Sequence, residues 1–347
     1  MAEFVGAKHA VFCSSGSTAN TILAYYAKEK YPDVKQVILP SVTWQTSCSP
    51  WIHSGFEPIF VDVSLKDFAI DLDALDRKLA SFKKRCIVFP TALLGFPPDM
   101  DKLIRICRKH GAVLMMDNCE NMLSKIPTNL GLKNSCSQIT CSASCYMGHQ
   151  VCSIEGGFLF TNSEDEYLHF LMLRNHGMVR SLDSKHFPRF ANADVDHRFD
   201  FNLLGNNFRN TEINALTGIL DLKRAEKYST TRIKMFERFV RGLDPDVFWT
   251  PMFLTGRHCV PFALPVLFLE QDKSDKVSQL KEKLGARGIE TRPIISGNLL
   301  RQTAYKKFGD WKDFHKAELI HKNGFYVGLH PKVKFRDIDE LLDLIHE

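Results

Sequence analysis

Ser144 and His149 stand five residues apart in the stretch from Cys141 to Gly157, and eight residues beyond the histidine comes the second glycine of a Glu155-Gly156-Gly157 turn. An imidazole takes up and returns protons near neutral pH, so His149 is suited to general acid and base work. A carboxylate, Asp117, follows the apolar run from Ala112 to Met116, with Glu120 three residues on. The small-residue segment Ser14 to Thr18 opens a helical pattern; such a turn presents unpaired N–H groups to an anion, and it serves equally as a Ser/Thr helix cap. Arg292 offers a planar charged fork for carboxylate or phosphate, or for a structural ion pair.

These groups need elements to hold them. Apolar runs at His9 to Cys13, Lys35 to Pro40, Glu57 to Val63, Cys86 to Phe89, Ala112 to Met116, Gln138 to Cys145 and Gly156 to Thr161 read as strands. Helical periodicity lies between them, at Ala19 to Lys28, Leu72 to Phe82, Met100 to His110 and Glu164 to Asn175. Alternation of this kind predicts an α/β fold with a mostly parallel sheet covered on both faces, and ligands at the carboxyl ends of its strands. Asp117 falls at such an end. After the long mixed-charge loop from Arg180 to Leu204, one amphipathic helix is expected from Asn210 to about Leu243, and the chain changes character at Asp244. The expected division is a large domain over 1–243 and a smaller α/β domain over 244–347, with a strand at His258 to Glu270, a helix at Asp275 to Arg287, a strand at Ile289 to Ile295 and a closing helix from Phe335 to Glu347.

Composition excludes several classes. Forty-five Lys and Arg against 40 Asp and Glu give +5, a weak surplus that does not point to nucleic acid but suits an anionic small substrate. The ten cysteines sit largely in apolar, strand-like stretches, with no C-x-x-C pair, and read as reduced thiols without a structural zinc. Strand alternation is expected to spread Cys136, Cys141, Cys145 and Cys152 over two faces, and no metal is expected. The chain begins without a signal-like core and has no apolar run long enough to span a bilayer, so a cytoplasmic enzyme without a membrane partner is expected.

The Ser144, His149 and Gly157 spacing resembles the active-site segment of the DegT-type pyridoxal phosphate (PLP) dependent sugar aminotransferase and dehydratase family, of fold type I. There a lysine at the place of His149 holds PLP through a covalent imine, which imidazole cannot form. Gly148-His149-Gln150 and Ile154 to Gly157 are similar to the His-containing branch, the nucleotide-sugar 3-dehydratases. The absence of a C-x-C pair favours the branch that works without an iron cluster, the GDP-4-keto-6-deoxymannose 3-dehydratases. Family members usually carry some tens of residues before the strand matching His9 to Cys13, and this chain starts close to it.

The resemblance implies a cofactor site and a substrate site. Gly16, Ser17, Thr18 and Ser144 would bind the PLP phosphate, Trp44 would stack on the ring, Asp117 would keep the ring nitrogen protonated, and Glu120 would lie near the ring hydroxyl. The segment Gly205 to Ala215 resembles one whose third residue, here Asn207, reaches the phosphate of a neighbouring subunit, which implies a homodimer. His176, Arg180, Arg209, Arg292 and Asn298 are the expected contacts to substrate or amino donor.

The implied activity is removal of the C3 hydroxyl from a nucleotide-linked 4-keto-6-deoxy sugar. The pyridoxamine form (PMP) would be renewed by an amino donor such as glutamate, and His149 would move the proton. Deoxysugar biosynthesis for lipopolysaccharide O-antigen is the implied setting. Two other readings stand beside it: a sugar aminotransferase using another lysine such as Lys125 or Lys133, and a binding protein that kept the fold without the chemistry.

Overall fold

A computed structural model describes residues 1–82, 84–251, 258–270 and 273–347. The apolar runs form strands β1 (His9–Cys13), β2 (Gln36–Pro40), β3 (Glu57–Val61), β4 (Ile87–Val88), β5 (Val113–Leu114), β6 (Met116–Asp117), β7 (Lys125–Thr128), β8 (Gly131–Asn134), β9 (Cys141–Ser144) and β10 (Gly157–Thr161). Between them run helices α1 (Ala2–Val5), α2 (Gly16–Lys30), α3 (Ser49–His53), α4 (Leu72–Ala80) and α5 (Met100–Lys109), followed by α6 (Glu164–Arg174) and α7 (Phe187–Phe190). The rest comprises α8 (Glu212–Leu222), α9 (Ala225–Gly242), β11 (Ala263–Leu267), α10 (Ser274–Ala286), β12 (Thr291–Pro293), α11 (His315–Asn323), β13 (Gly324–Gly328) and α12 (Phe335–His346).

Strands β3, β2, β4 and β5 lie side by side in parallel. β6 continues β5 past Met115 and pairs in parallel with β9; β10 then runs antiparallel between β9 and β1. With β5 and β6 taken as one strand, the order is β3-β2-β4-β5/β6-β9-β10-β1, and β10 alone is reversed. This is the mostly parallel sheet that the alternating pattern predicts. Both faces are covered, as parallel strands require. Val37 and Leu39 pack with Ile22, Tyr26 and Trp51 on one side, while Ile38 packs with Leu75, Leu103 and Met116 on the other.

The C-terminal strands form a three-stranded antiparallel sheet, β11-β13-β12. Its core is continuous with Phe236 and Phe239 of α9 and with Phe68, Phe96 and Trp249. The 258–270 stretch gives a strand only at Ala263–Leu267, and 138–145 gives one only at Cys141–Ser144, after a 3₁₀ turn at Ser135–Ser137. The hairpin β7–β8, helix α11 and strand β13 have no counterpart in the sequence reading.

Two expectations are corrected. The single helix from Asn210 to Leu243 is two helices, α8 and α9, broken at Lys223 and Arg224, where the N–H of Arg224 turns back to the carbonyl of Asp221 at 2.8 Å. The two helices serve different surroundings: α8 has no buried residue, whereas α9 buries Ala225, Ser229, Arg232, Met235, Phe236 and Phe239. Cys136, Cys141 and Cys145 share one buried core rather than being spread over two faces, because the turn before β9 folds Cys136 back toward Cys141. Among the described residues no helix is long and apolar enough to cross a membrane.

Candidate active site

The carboxyl edge of the sheet gathers the polar groups. β6 ends at Asp117, whose side chain is 2% exposed. Its Oδ2 accepts hydrogen bonds from Asn20 Nδ2 at 2.8 Å and from the Ser47 hydroxyl at 2.7 Å. Its Oδ1 accepts from the Cys119 N–H at 2.9 Å, with the Ser142 hydroxyl oxygen 3.5 Å away. All four groups are neutral. A buried carboxylate with neutral partners and, among the described residues, no cation hydrogen-bonded to it is a site prepared for a positive group.

Beside it, α2 starts from Ser15 in extended conformation, which caps the helix through the Thr18 N–H at 3.1 Å, while Thr18 Oγ1 accepts from the Ser15 N–H at 2.9 Å. The N–H groups of Gly16 and Ser17 thereby remain as the helix donors with no intrahelical acceptor. Thr18, an expected phosphate ligand, has both its N–H and its hydroxyl engaged in the cap. Gly16 packs so closely on Ser144 and Cys119 that an added Cβ would lie 2.8 Å from Ser144 Cβ and 2.6 Å from Cys119 Sγ. Gly157, paired with both Cys13 and Ser144, has the Ser15 carbonyl where its Cβ would be, at 2.1 Å. The two glycines bring the helix start and Ser144 into one cup.

His149 follows β9 on a turn closed by its own N–H to the Tyr146 carbonyl at 2.9 Å. Its ring lies between Tyr146, nearly perpendicular at 5.7 Å, and Phe262 at 5.5 Å. Among the described residues, its buried Nδ1 has no hydrogen-bond partner. Desolvation pulls the imidazole down to about 4; the Asp117 charge and the Cys119 backbone oppose this, and the Arg232 charge adds to it. The ring is therefore a neutral base at physiological pH. Glu120, partly buried, accepts the Leu94 N–H at 2.8 Å, and desolvation with the nearby Asp117 charge pushes it up to about 8. It is largely a neutral acid at pH 7.

The outer residues divide. Trp44 opens the turn after β2 with its side chain 55% exposed. His176 has φ 59° and donates its N–H to the Asn206 carbonyl at 2.9 Å; Asn207 is exposed and bridges Asn175 across the same turn. Arg209 is directed to the Asn175 side chain, Arg180 lies over the Phe199 ring, and Arg292 pairs with Glu290 at 2.9 Å in an exposed position. Asn298, an expected substrate contact, is fully buried, its side-chain amide donating to the Trp311 carbonyl and Glu318 and its oxygen capping Leu300. Lys125 and Lys133 are exposed on the β7–β8 hairpin.

Sequence reasoning missed Asn20, Ser47 and Ser142, which aim the carboxylate, and Arg232 and Gln150, which hold the His149 turn. Asn20 sits one helical turn beyond Gly16, and this i, i+4 relation to the cup was the one signal available. The donor set fits PLP: a carboxylate for a protonated ring nitrogen, a helix start with a serine for a phosphate, and an unpartnered imidazole nitrogen beside them.

Residues 1–346 match the model of the DegT/DnrJ/EryC1/StrS aminotransferase family. The chain is similar to the GDP-4-keto-6-deoxy-D-mannose 3-dehydratase of Escherichia coli O55:H7, at 30% identity over 99% of this chain and 89% of that protein. It is equally similar to the enzyme of that name from Yersinia pseudotuberculosis, at 31% identity over 99% and 88%. A crystal structure of GDP-4-keto-6-deoxymannose-3-dehydratase with a trapped PLP-glutamate geminal diamine superposes with a TM-score of 0.85, at 28% identity over 99% of this chain and 90% of that one.

Proposed function

The chain belongs to the DegT/DnrJ/EryC1/StrS aminotransferase family, and from that premise we propose that it is a PLP- and PMP-dependent 3-dehydratase of a GDP-linked 4-keto-6-deoxyhexose, with glutamate as amino donor. The observation that carries this reading is His149: a neutral imidazole with an unpartnered buried nitrogen, on the turn after Ser144 and within electrostatic reach of Asp117. The relatives named for this activity, one of them with PLP and glutamate trapped together, support the cofactor and the donor.

When bound, the cofactor supplies an amine for the C4 carbonyl of the sugar and a protonated ring that withdraws electrons. The protein does the rest. Asp117, fixed by its donors, would hold the ring proton. Gly16, Ser17 and Ser144 would bind the phosphate, Trp44 would cover the ring, and Glu120 would lie near the ring hydroxyl as a neutral acid. His149 would take the proton from the amine-bearing carbon of the bound cofactor and deliver it to the departing C3 hydroxyl, which leaves as water. Lacking a primary amine, it cannot capture the cofactor, and this separates dehydration from transamination.

The working unit in this reading is a homodimer. Helix α8 leaves Ile213, Leu216, Ile219 and Leu220 exposed, an apolar stripe that none of the described residues of one chain covers. Asn207, just before it, would reach the cofactor phosphate of the partner. His176, Arg180, Arg209 and Arg292 form the charged approach for the nucleotide sugar and the donor's carboxylates.

Incubation with PLP, glutamate and GDP-4-keto-6-deoxymannose tests the reading. It expects a 3-deoxy product with release of ammonia. Accumulation of a 4-amino sugar would favour the aminotransferase alternative, and no cofactor binding would favour the binding protein.

A further inference from the structure

We propose that Arg232 is a positioning residue for His149: its buried guanidinium holds the backbone turn that carries the imidazole and fixes a positive charge against that turn. Arg232 lies on the inner face of α9 and is 6% exposed. Nη2 donates to the carbonyl of His149 at 3.2 Å, Nη1 to that of Gln150 at 3.4 Å, and Nε to that of Leu329 at 3.2 Å. The fork therefore ties the catalytic turn to the segment leaving β13. All three partners are neutral, and no carboxylate lies within ion-pair distance of it among the described residues.

A buried cation with carbonyl partners alone is a costly arrangement, since desolvation is not repaid by a counter-charge. Burial brings Arg232 down to about 10, which leaves it charged at neutral pH. Asp221, the acid whose field it feels most, is engaged elsewhere: its Oδ2 accepts the Cys152 N–H at 2.8 Å. Asp221 stands on α8 and Arg232 on α9, so the helices flanking the break at 223–224 grip one loop from two sides. Gln150 completes the clamp by accepting the Leu123 N–H at 2.7 Å and donating to the Val260 carbonyl.

Among the described residues, the charged and titratable groups that face the imidazole are few. Tyr146 comes from its own turn, Asp117 and Cys119 from the end of β6, and Arg232 from α9; the residue contributed by the 258–262 segment is the uncharged Phe262. His330, beyond Leu329, is itself held down by burial and by Arg232. Burial holds the imidazole neutral, and on top of it Asp117 favours a proton on His149 while Arg232 opposes it.

This inference rests on the proposed base role of His149, and its test is chosen to be read independently of that role. In the full-length, PLP-loaded protein the His149 ring resonances, assigned by their loss in His149→Asn, are titrated in wild type, Arg232→Met and Arg232→Lys without substrate. Arg232→Met is expected to move the ring titration to higher pH. The acid limb of the kcat profile should move with it, and kcat should fall about ten- to a hundredfold as the turn loosens. Arg232→Lys keeps the charge but not the fork, so the titration should stay near wild type while kcat falls. Should Arg232→Met not fold, Arg232→Gln keeps an N–H donor without the charge and carries the same reading. An unchanged titration and acid limb in a folded neutral variant overturns the electrostatic role, and wild-type kcat in Arg232→Lys overturns the positioning role. A wild type that makes no 3-deoxy product would instead overturn the function and leave the titration result standing.

Discussion

Asn20 and Asp117 are locked together across the sheet edge: Asn20 Nδ2 donates to Asp117 Oδ2 at 2.8 Å, and the Ser142 hydroxyl donates to Asn20 Oδ1. The amide is thereby fixed as a donor to the carboxylate, and both carboxylate oxygens receive donors. Asp117→Asn therefore turns an NH₂ group toward an existing donor whichever way it sits. The variant should lose about 1–3 kcal/mol of stability in urea melts. Turnover should fall further than PLP affinity, because the charge that keeps the ring proton is gone. An unchanged elimination rate would contradict the role given to Asp117.

Glu120 supplies a pH signature in the cofactor-free protein. Its folded pKa is raised from 4.5 to about 8, so its contribution to stability is complete below pH 4.5 and is lost as the pH rises toward 8. Glu120→Gln removes that loss. Relative to the variant, wild type should weaken between pH 4.5 and 8 by roughly 2 kcal/mol, allowing for the solvent that reaches the pocket. His149 acts in the opposite sense: its folded pKa is depressed from 6.5 to about 4, so stability is lost as the pH falls through that interval. Parallel pH–stability profiles for wild type and Glu120→Gln would remove Glu120 from the pocket as described.

On α8, Ile219→Asp places a charge at a position that is 54% exposed in one chain. The fold should survive, since no side chain of α8 is buried. If the proposed homodimer forms through this face, sedimentation of the variant should show a monomer, and PLP affinity should fall as the proposed contact from the partner's Asn207 is lost. A monomer that binds PLP as tightly as wild type would contradict the shared site.

Much of this was legible in the sequence, for identifiable physical reasons. Strands β2 and β4 are buried on both faces and so appear as unbroken apolar runs, and a strand end followed by Asp117 marks the ligand edge. The spacing of Ser144, His149 and Gly157 survives folding because β9 and β10 pair directly, Gly157 opposite Ser144. The break between α8 and α9 left no mark, since Lys223 and Arg224 are ordinary helix formers and only tertiary demands separate the helices. The capping bonds of Thr18 and Asn298 were not legible for a shared reason: Thr, Ser and Asn side chains bind ligands and cap turns with the same atoms, so residue type does not reveal the geometry. Arg232 was hidden because a buried arginine on an amphipathic helix has the same sequence signature as an exposed one.

The most direct measurement is the rate at which His149→Asn, loaded with PLP and supplied with glutamate and GDP-4-keto-6-deoxymannose, forms the 3-deoxy sugar. The asparagine leaves the cup and Asp117 in place, so cofactor binding should persist. Loss of the base should lower dehydration by about a hundredfold to ten-thousandfold. Product formation at the wild-type rate, with the cofactor bound, would mean that another residue moves the proton and that His149 is not the centre of this site.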